Sequence, residues 1–101
     1  MDKRKPNFGT FATVFRANNR YAAKVVDVVA HNEVVVRRLD GYCIDFKNNK
    51  WTYDDEFSTR YPEPLHFTRR KNGNWVEKGM GMNNPEADTL TLGYAYHNIV
   101  E

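Results

Sequence analysis

The residues that could act as nucleophiles or metal ligands are few and widely spaced in this chain. Ser58 is the single serine and lies outside any nucleophile-elbow pattern, and the single cysteine, Cys43, falls in an apolar stretch typical of a buried thiol. His31, His66 and His97 have no partner at a spacing of two or four residues, which a local metal site would require. We therefore expect neither a catalytic residue nor a metal site.

Two further motifs bear only a partial likeness to catalytic or phosphate-binding sequences. Asp54, Asp55 and Glu56 are contiguous, so their side chains point in different directions, and we interpret them as a solvated acidic loop. Gly79-Met80-Gly81 lacks the following Gly-Lys-Ser/Thr of a phosphate-cradling loop. These observations argue against an enzyme, and they predict no cofactor.

Basic and aromatic residues interleave along the chain, and this pattern favours a binding protein. Arg37-Arg38 and Arg69-Arg70-Lys71 supply positive charge, and aromatic residues between positions 42 and 96 supply flat rings. Such a surface suits single-stranded nucleic acid or a nucleotide, because every base offers a stacking face. Exposed Trp, Tyr and Arg are equally typical of a surface that binds protein. The candidate ligand-binding residues are Arg37, Tyr53, Arg69, Arg70 and Trp75.

Length and charge limit the class of protein. The 101 residues suffice for one domain, and the net charge of +2 with a pI near 8.7 falls just below the composition typical of nucleic-acid binders. A lone cysteine favours a reducing, intracellular setting. We interpret residues 1–8 as a basic, flexible N-terminal tail without signal-peptide character, and residues 9–101 as a single small β domain. No apolar run is long enough to span a membrane.

The chain is organised around a valine-rich stretch, residues 21–39. Seven valines fall within it, and β-branched residues favour strand over helix. Polar residues at 30–33 interrupt the run, so we predict an antiparallel hairpin with strands at Tyr21–Val29 and Glu33–Leu39. Neither face of this hairpin is cleanly polar, which requires either a closed barrel or a partner chain to cover it. A homo-oligomer is therefore one prediction.

Shorter strands and turns flank the valine hairpin. In the first strand, alternation predicts that Phe11 and Phe15 face the core. Asp40-Gly41 is predicted to be a turn. Asn72-Gly73 suits a type I′ hairpin turn, which would place Arg70 opposite Trp75. The other predicted strands are Thr10–Arg16, Tyr42–Phe46, Trp51–Tyr53 and Thr89–Tyr96.

Together these elements predict an all-β fold. Six to eight short strands with frequent turns and no long helical pattern are typical of a small SH3-like barrel, our first choice, or of a strongly bent antiparallel sheet. At most one short helical turn is expected, at residues 84–88, where Pro85 follows the N-cap candidate Asn84.

Four segments of the chain carry a resemblance to a known family. They are Asn19-Arg20-Tyr21, Lys24–Val28, Phe67–Gly79 and Leu90–Gly93. In this order they resemble a family of small, mostly uncharacterised bacteriophage-encoded proteins. The most specific part is the hairpin motif RKNG-W---G, followed by L-LG and a tyrosine. The chain departs from that pattern in a tighter loop between the valine strands and in its ending, 97–101, where an aromatic terminus is usual.

The resemblance implies a viral protein acting in the host cytoplasm, and it supplies no catalytic residues. Small phage accessory proteins often counter host defence, an analogy that is independent of fold. We therefore predict a non-enzymatic phage accessory protein that antagonises a host defence system by binding a nucleotide signal or a host protein. The alternatives are a nucleic-acid-binding module that uses the basic and aromatic hairpin surfaces, and a structural or assembly component of the virion.

Overall fold

The structure is a computed structural model, and it describes residues 9–81 and 87–99. These residues form seven β-strands and no helix, which confirms the predicted all-β class and strand number. The predicted N-terminal tail, 1–8, lies outside the described residues, as does most of the predicted helical turn at 84–88. The strands are β1 Phe11–Arg16, β2 Asn19–Ala30, β3 Glu33–Asp45, β4 Lys50–Phe57, β5 Leu65–Arg69, β6 Trp75–Glu77 and β7 Thr89–Leu92.

Six of these strands form one antiparallel sheet that closes on itself in a ring. The neighbours run in the order β2-β1-β7-β6-β5-β3, and β3 pairs back with β2 through the valine hairpin. This closure covers the valine-rich strands over most of their length, and Val34 and Val36 are fully buried. At the tip of the hairpin, Val28 and Val29 remain 37% and 54% exposed.

The interior of the ring is narrow and is lined mainly by small side chains. Ala12, Val14 and Ala23 are fully buried there, in one cluster with Phe67 and Trp75. Side chains alternate between the two faces of β1, and the smaller ones, Ala12 and Val14, point into the ring.

The larger set on β1 lies on the outer face, so the prediction that Phe11 and Phe15 face the core is wrong. The Lys24 ammonium lies 4.8 Å from the centroid of the Phe11 ring. The Arg20 guanidinium lies 4.4 Å from the centroid of the Phe15 ring. Both phenylalanine side chains therefore stack with cations on the outside of the closed sheet and do not fill its interior.

β3 continues beyond the ring, so the prediction of a turn at Asp40-Gly41 is wrong. Its second half pairs with β4 to form a hairpin, here called the arm (residues 40–57). A Cβ atom built on Gly41 would overlap the ring of His97, so the glycine permits a close approach and does not make a turn. The acidic residues 54–56, predicted to lie in a loop, belong to β4.

The hairpin between β5 and β6 uses a three-residue loop instead of the predicted type I′ turn. Within the loop only Gly73 has a positive φ, 88°. The Gly73 N–H donates to the Arg70 carbonyl at 2.9 Å, and the Arg70 N–H donates to the Asn74 carbonyl at 2.8 Å. The extra loop residue shifts the register, so Arg69 and not Arg70 pairs with Trp75.

The chain after β7 returns across the outer face of the ring. The predicted strand 89–96 ends at Leu92, because Gly93 follows with φ 104°. Asn98 and Arg20 exchange two backbone hydrogen bonds of 2.8 and 2.9 Å. This contact brings the C-terminal segment, residues 94–99, to the start of β2.

Candidate functional site

The structure does not bring the five sequence-predicted ligand-binding residues together in one site. Arg69, Arg70 and Trp75 line an open cavity of about 650 Å³ at the β5–β6 hairpin and β7. Arg37 and Tyr53 contact other parts of the outer face. The Arg37 guanidinium lies 4.7 Å from the centroid of the Phe57 ring, and the Tyr53 ring centroid lies 6.3 Å from that of Phe11.

All three of the predicted side chains at the open cavity have contacts within the protein. The Arg69 guanidinium lies 5.8 Å from the centroid of the Trp75 ring. Trp75 is only 5% exposed, so its indole packs in the core and offers little face for stacking a ligand. Arg70 donates from Nη2 to the carbonyls of Glu77 and Met80 at 3.1 and 2.7 Å, and from Nε to Thr68 Oγ1 at 2.9 Å. These bonds hold the hairpin to the segment that follows β6.

A second cavity, of about 350 Å³, lies at one end of the ring. We call it the ring-end cavity. It is enclosed by the ring, the arm, the loop after β4 and the C-terminal segment, and a volume of this size suits a ligand near the small end of the usual range. The residues that give it its chemistry are Arg16, Tyr21, Arg38, Arg60, Tyr61 and His97.

Arg38 is the central residue of the ring-end cavity. Its guanidinium carbon lies 3.8 Å from the centroid of the Tyr21 ring and 4.1 Å from that of Tyr61. Its Nε is buried and has no hydrogen-bond partner among the described residues. Burial lowers the pKa of the guanidinium, although arginine stays protonated at any physiological pH.

The contacts around Arg38 also fix the two tyrosine rings. The Tyr21 hydroxyl accepts a hydrogen bond from Asn19 Nδ2 at 3.2 Å. Ser58 is buried, its N–H donates to the Arg38 carbonyl at 2.9 Å, and its Oγ accepts from the Tyr61 N–H at 3.1 Å. The single serine of the chain therefore anchors the loop that carries Tyr61.

The other charged groups leave the ring-end cavity positive. Arg16 donates to the buried Asp88 carboxylate from Nε and Nη2, at 3.0 and 2.7 Å, and this pairing raises the pKa of Arg16. Arg60 is exposed at the rim, and Asp40 is the one carboxylate among the described lining residues. An anion would therefore meet more cationic than anionic groups.

His97 forms the back wall of the cavity and is 5% exposed. Its Nδ1 accepts a long hydrogen bond, 3.4 Å, from the Ala22 N–H, and its ring lies 5.7 Å from Trp51 and 5.9 Å from Tyr21. Burial, and secondarily the Arg38 charge, lowers the pKa of His97 to about 4. The imidazole is consequently neutral near pH 7.

None of the five sequence-predicted residues lines the ring-end cavity, but alternation could have identified part of it. Arg38 lies on the same side of β3 as the buried Val34 and Val36, and Tyr21 on the same side of β2 as Ala23. Charge alone does not distinguish Arg38 from Arg37. Tyr61 and His97 come from a loop and a C-terminal segment whose packing no local pattern predicts.

Comparison of the chain with known protein families, curated proteins and solved structures gives no match. Across residues 9–81 and 87–99, no group of three potential ligands from His, Cys, Asp or Glu is placed to hold a metal ion. The same residues contain no helix of the length and apolarity that crossing a membrane would require.

Proposed function

We propose that this chain is a non-enzymatic binding protein whose ring-end cavity takes a nucleotide-like anion. The observation that carries the proposal is the placement of Arg38, whose guanidinium lies against the rings of Tyr21 and Tyr61 at the end of the ring. A guanidinium held in this way presents a fixed pair of N–H donors that fits a phosphate or carboxylate bidentately.

Aromatic rings and a further positive charge in the cavity would bind the rest of a nucleotide. Tyr61 is half-exposed, and Trp51 lines the same cavity, so both can stack on a base. Arg60 adds a positive charge at the rim, where it would speed the approach of an anion. The volume of about 350 Å³ favours a compact nucleotide over a polynucleotide strand.

The resemblance to phage proteins suggests the biological use of such a site. We propose a phage accessory protein that acts in the host cytoplasm and antagonises host defence by sequestering a nucleotide signal. Sequestration needs tight binding and no catalysis, and a small rigid domain with a cavity of this kind is suited to it.

Thermal denaturation with a panel of cyclic nucleotides and ADP-ribose-type nucleotides tests the proposal. A ligand present at about 100 times its dissociation constant adds roughly 2.7 kcal/mol to the free energy of unfolding. For a domain of this size, that corresponds to an increase of roughly 10 to 20 °C in Tm. Inorganic phosphate and adenosine, tested separately, show whether the anionic group or the ring contributes more.

Arg38→Met and Arg37→Met form a matched pair for the same experiment. Both changes remove one positive charge from adjacent residues of β3, but only Arg38 lines the ring-end cavity. We expect Arg38→Met to abolish the ligand-induced shift and Arg37→Met to retain it. The proposal is wrong if no nucleotide in the panel raises Tm, or if the two variants lose the shift equally.

A further inference from the structure

The two faces of the arm differ sharply in what covers them. On one face, Trp51 contacts His97 and Tyr53 contacts Phe11, so this face packs against the ring and the C-terminal segment. On the other face, Tyr42 and Ile44 are 46% and 59% exposed, and Phe46 at the tip is 88% exposed. A small domain seldom leaves three large apolar side chains together in water without a use for them.

Hydrogen bonds at the tip of the arm fix the backbone of the turn that carries Phe46. Asn48 Nδ2 donates to Asp45 Oδ2 at 2.8 Å, and the Asn49 N–H donates to the Phe46 carbonyl at 3.3 Å. Asn49 adopts φ 51°, and its side chain accepts from Trp51 Nε1 at 2.8 Å. The Asn49 amide also donates to Asn98 Oδ1 at 3.1 Å, which ties the tip to the C-terminal segment.

The arm is also acidic, whereas the remainder of the chain is basic. Residues 40–57 contain five acidic residues and two lysines, a net charge of −3 in a chain whose total is +2. One of the five acids, Asp55, forms an ion pair with Lys24 of β2, so the remaining four are the ones that a partner could meet. One of these acids, Asp54, accepts a hydrogen bond of 3.4 Å from the exposed Tyr42 hydroxyl, so negative charge lies on the apolar face itself. Asp40 and Glu56 are exposed at the base of the arm.

From these three observations we propose that the arm is a docking surface for a second protein, whose apolar pocket receives Phe46 and whose rim is positively charged. An exposed aromatic side chain on a rigid turn gives binding energy with little loss of conformational entropy. The acids would orient the partner and accelerate association. A symmetric pairing with a second copy is disfavoured, because the same face on both chains would bring acid against acid.

A displayed library of random peptides, selected on the immobilised full chain, tests this surface directly. The enriched peptides should combine apolar residues with Lys or Arg, and their affinity should fall as salt concentration rises. Phe46→Ala should weaken their binding by at least roughly tenfold. Because Phe46 is almost fully exposed, this change is not expected to alter the fold.

Ile44→Asp and Val29→Asp provide a matched pair, because both residues are more than half exposed but only Ile44 belongs to the arm. Ile44→Asp should prevent peptide capture, and Val29→Asp should leave it unchanged. Peptides that bind Phe46→Ala as well as the unaltered chain, or that lack a basic bias, would overturn the proposal. Sedimentation that reveals a dimer lost on Phe46→Asp would also overturn it, by assigning the face to a second copy.

Discussion

At the scale of single residues, the His97 ring occupies the space that any side chain at position 41 would need. The neighbouring atoms belong to a buried ring that Trp51, Tyr21 and the Ala22 N–H already position. The ring therefore has little freedom to move aside, and the close contact accounts for a glycine inside a continuous strand.

Gly41→Ala should destabilise the protein by roughly 1 to 3 kcal/mol, the usual cost of overpacking a filled site. Urea denaturation of this variant, His97→Ala and the double variant measures the effect, and the alanine at 41 should cost much less once the ring is absent. Gly81→Ala is the control, because a Cβ atom there has no heavy atom of the described residues within 4 Å and the backbone φ is not positive. Equal losses at both glycines would contradict this account.

His97 should also make stability depend on pH. Its pKa is about 4 in the folded protein and near 6.5 when unfolded, so the unfolded state binds more protons between these values. His97 therefore does not change the free energy of unfolding above about pH 6.5, and it lowers that free energy by roughly 3 kcal/mol as the pH falls to 4.

Denaturant titrations at pH 7 and pH 4.5 test this dependence. His97→Gln should lose less stability between the two pH values than the unaltered protein, whereas a change at the exposed His66, His66→Gln, should leave the difference unchanged. The carboxylates contribute similarly in all three proteins, so the comparison isolates His97. Parallel curves for His97→Gln and the unaltered protein would rule out this role.

At the scale of the elements, the Arg70 side chain joins the β5–β6 hairpin to the segment that follows β6. The side chain gives three hydrogen bonds, two of them to backbone carbonyls at the end of β6 and beyond it. Arg70→Met should cost roughly 1 to 3 kcal/mol, because the Met80 carbonyl would lose the donor that Arg70 supplies and the Glu77 carbonyl would lose one of its donors. Lys71→Met, at the exposed next position, should cost less than about 0.5 kcal/mol. Thermal denaturation measures both, and equal effects would show that charge matters and the bonds do not.

The elements themselves could be predicted from the sequence only where local patterns dominate. The valine hairpin was predictable because β-branched residues and a polar interruption specify two strands and their turn. The continuation of β3 through Asp40-Gly41 was not, because this pair is a strong turn signal and its glycine is required by a ring far away in sequence. The register at Trp75 was missed because Asn72-Gly73 permits both two-residue and three-residue loops.

The ring-end cavity was predictable only in part, for a related reason. The alternation that buries Val34 and Val36 also places Arg38 on the inner side of β3. The position of Arg38 at the end of the ring could therefore have been inferred from the sequence. The same rule cannot say which row lies inside, as Phe11 and Ala12 illustrate. That choice depends on the radius of the closed ring, which local sequence does not encode.

At the scale of the whole molecule, the narrow interior sets a limit on side-chain volume. Ala23 is fully buried among the residues that fill the ring, so Ala23→Leu should destabilise by roughly 1 to 3 kcal/mol. Ala30→Leu makes the same change on the exposed end of the same strand and should be nearly neutral. Urea denaturation distinguishes them. A tolerated leucine at position 23 would mean that the ring can expand.

The pairing of β1 with β7 affects the order in which the strands of the ring can fold. It joins Ala12 to Leu92, so the first and last strands of the ring meet across nearly the whole chain. While the chain is being synthesised, the valine hairpin can form early, but β1 must wait for its second neighbour until residues 89–92 have emerged. Contacts so distant in sequence fold slowly. Until that last strand arrives, the inward-facing side of the sheet remains open to water and to other unfinished chains.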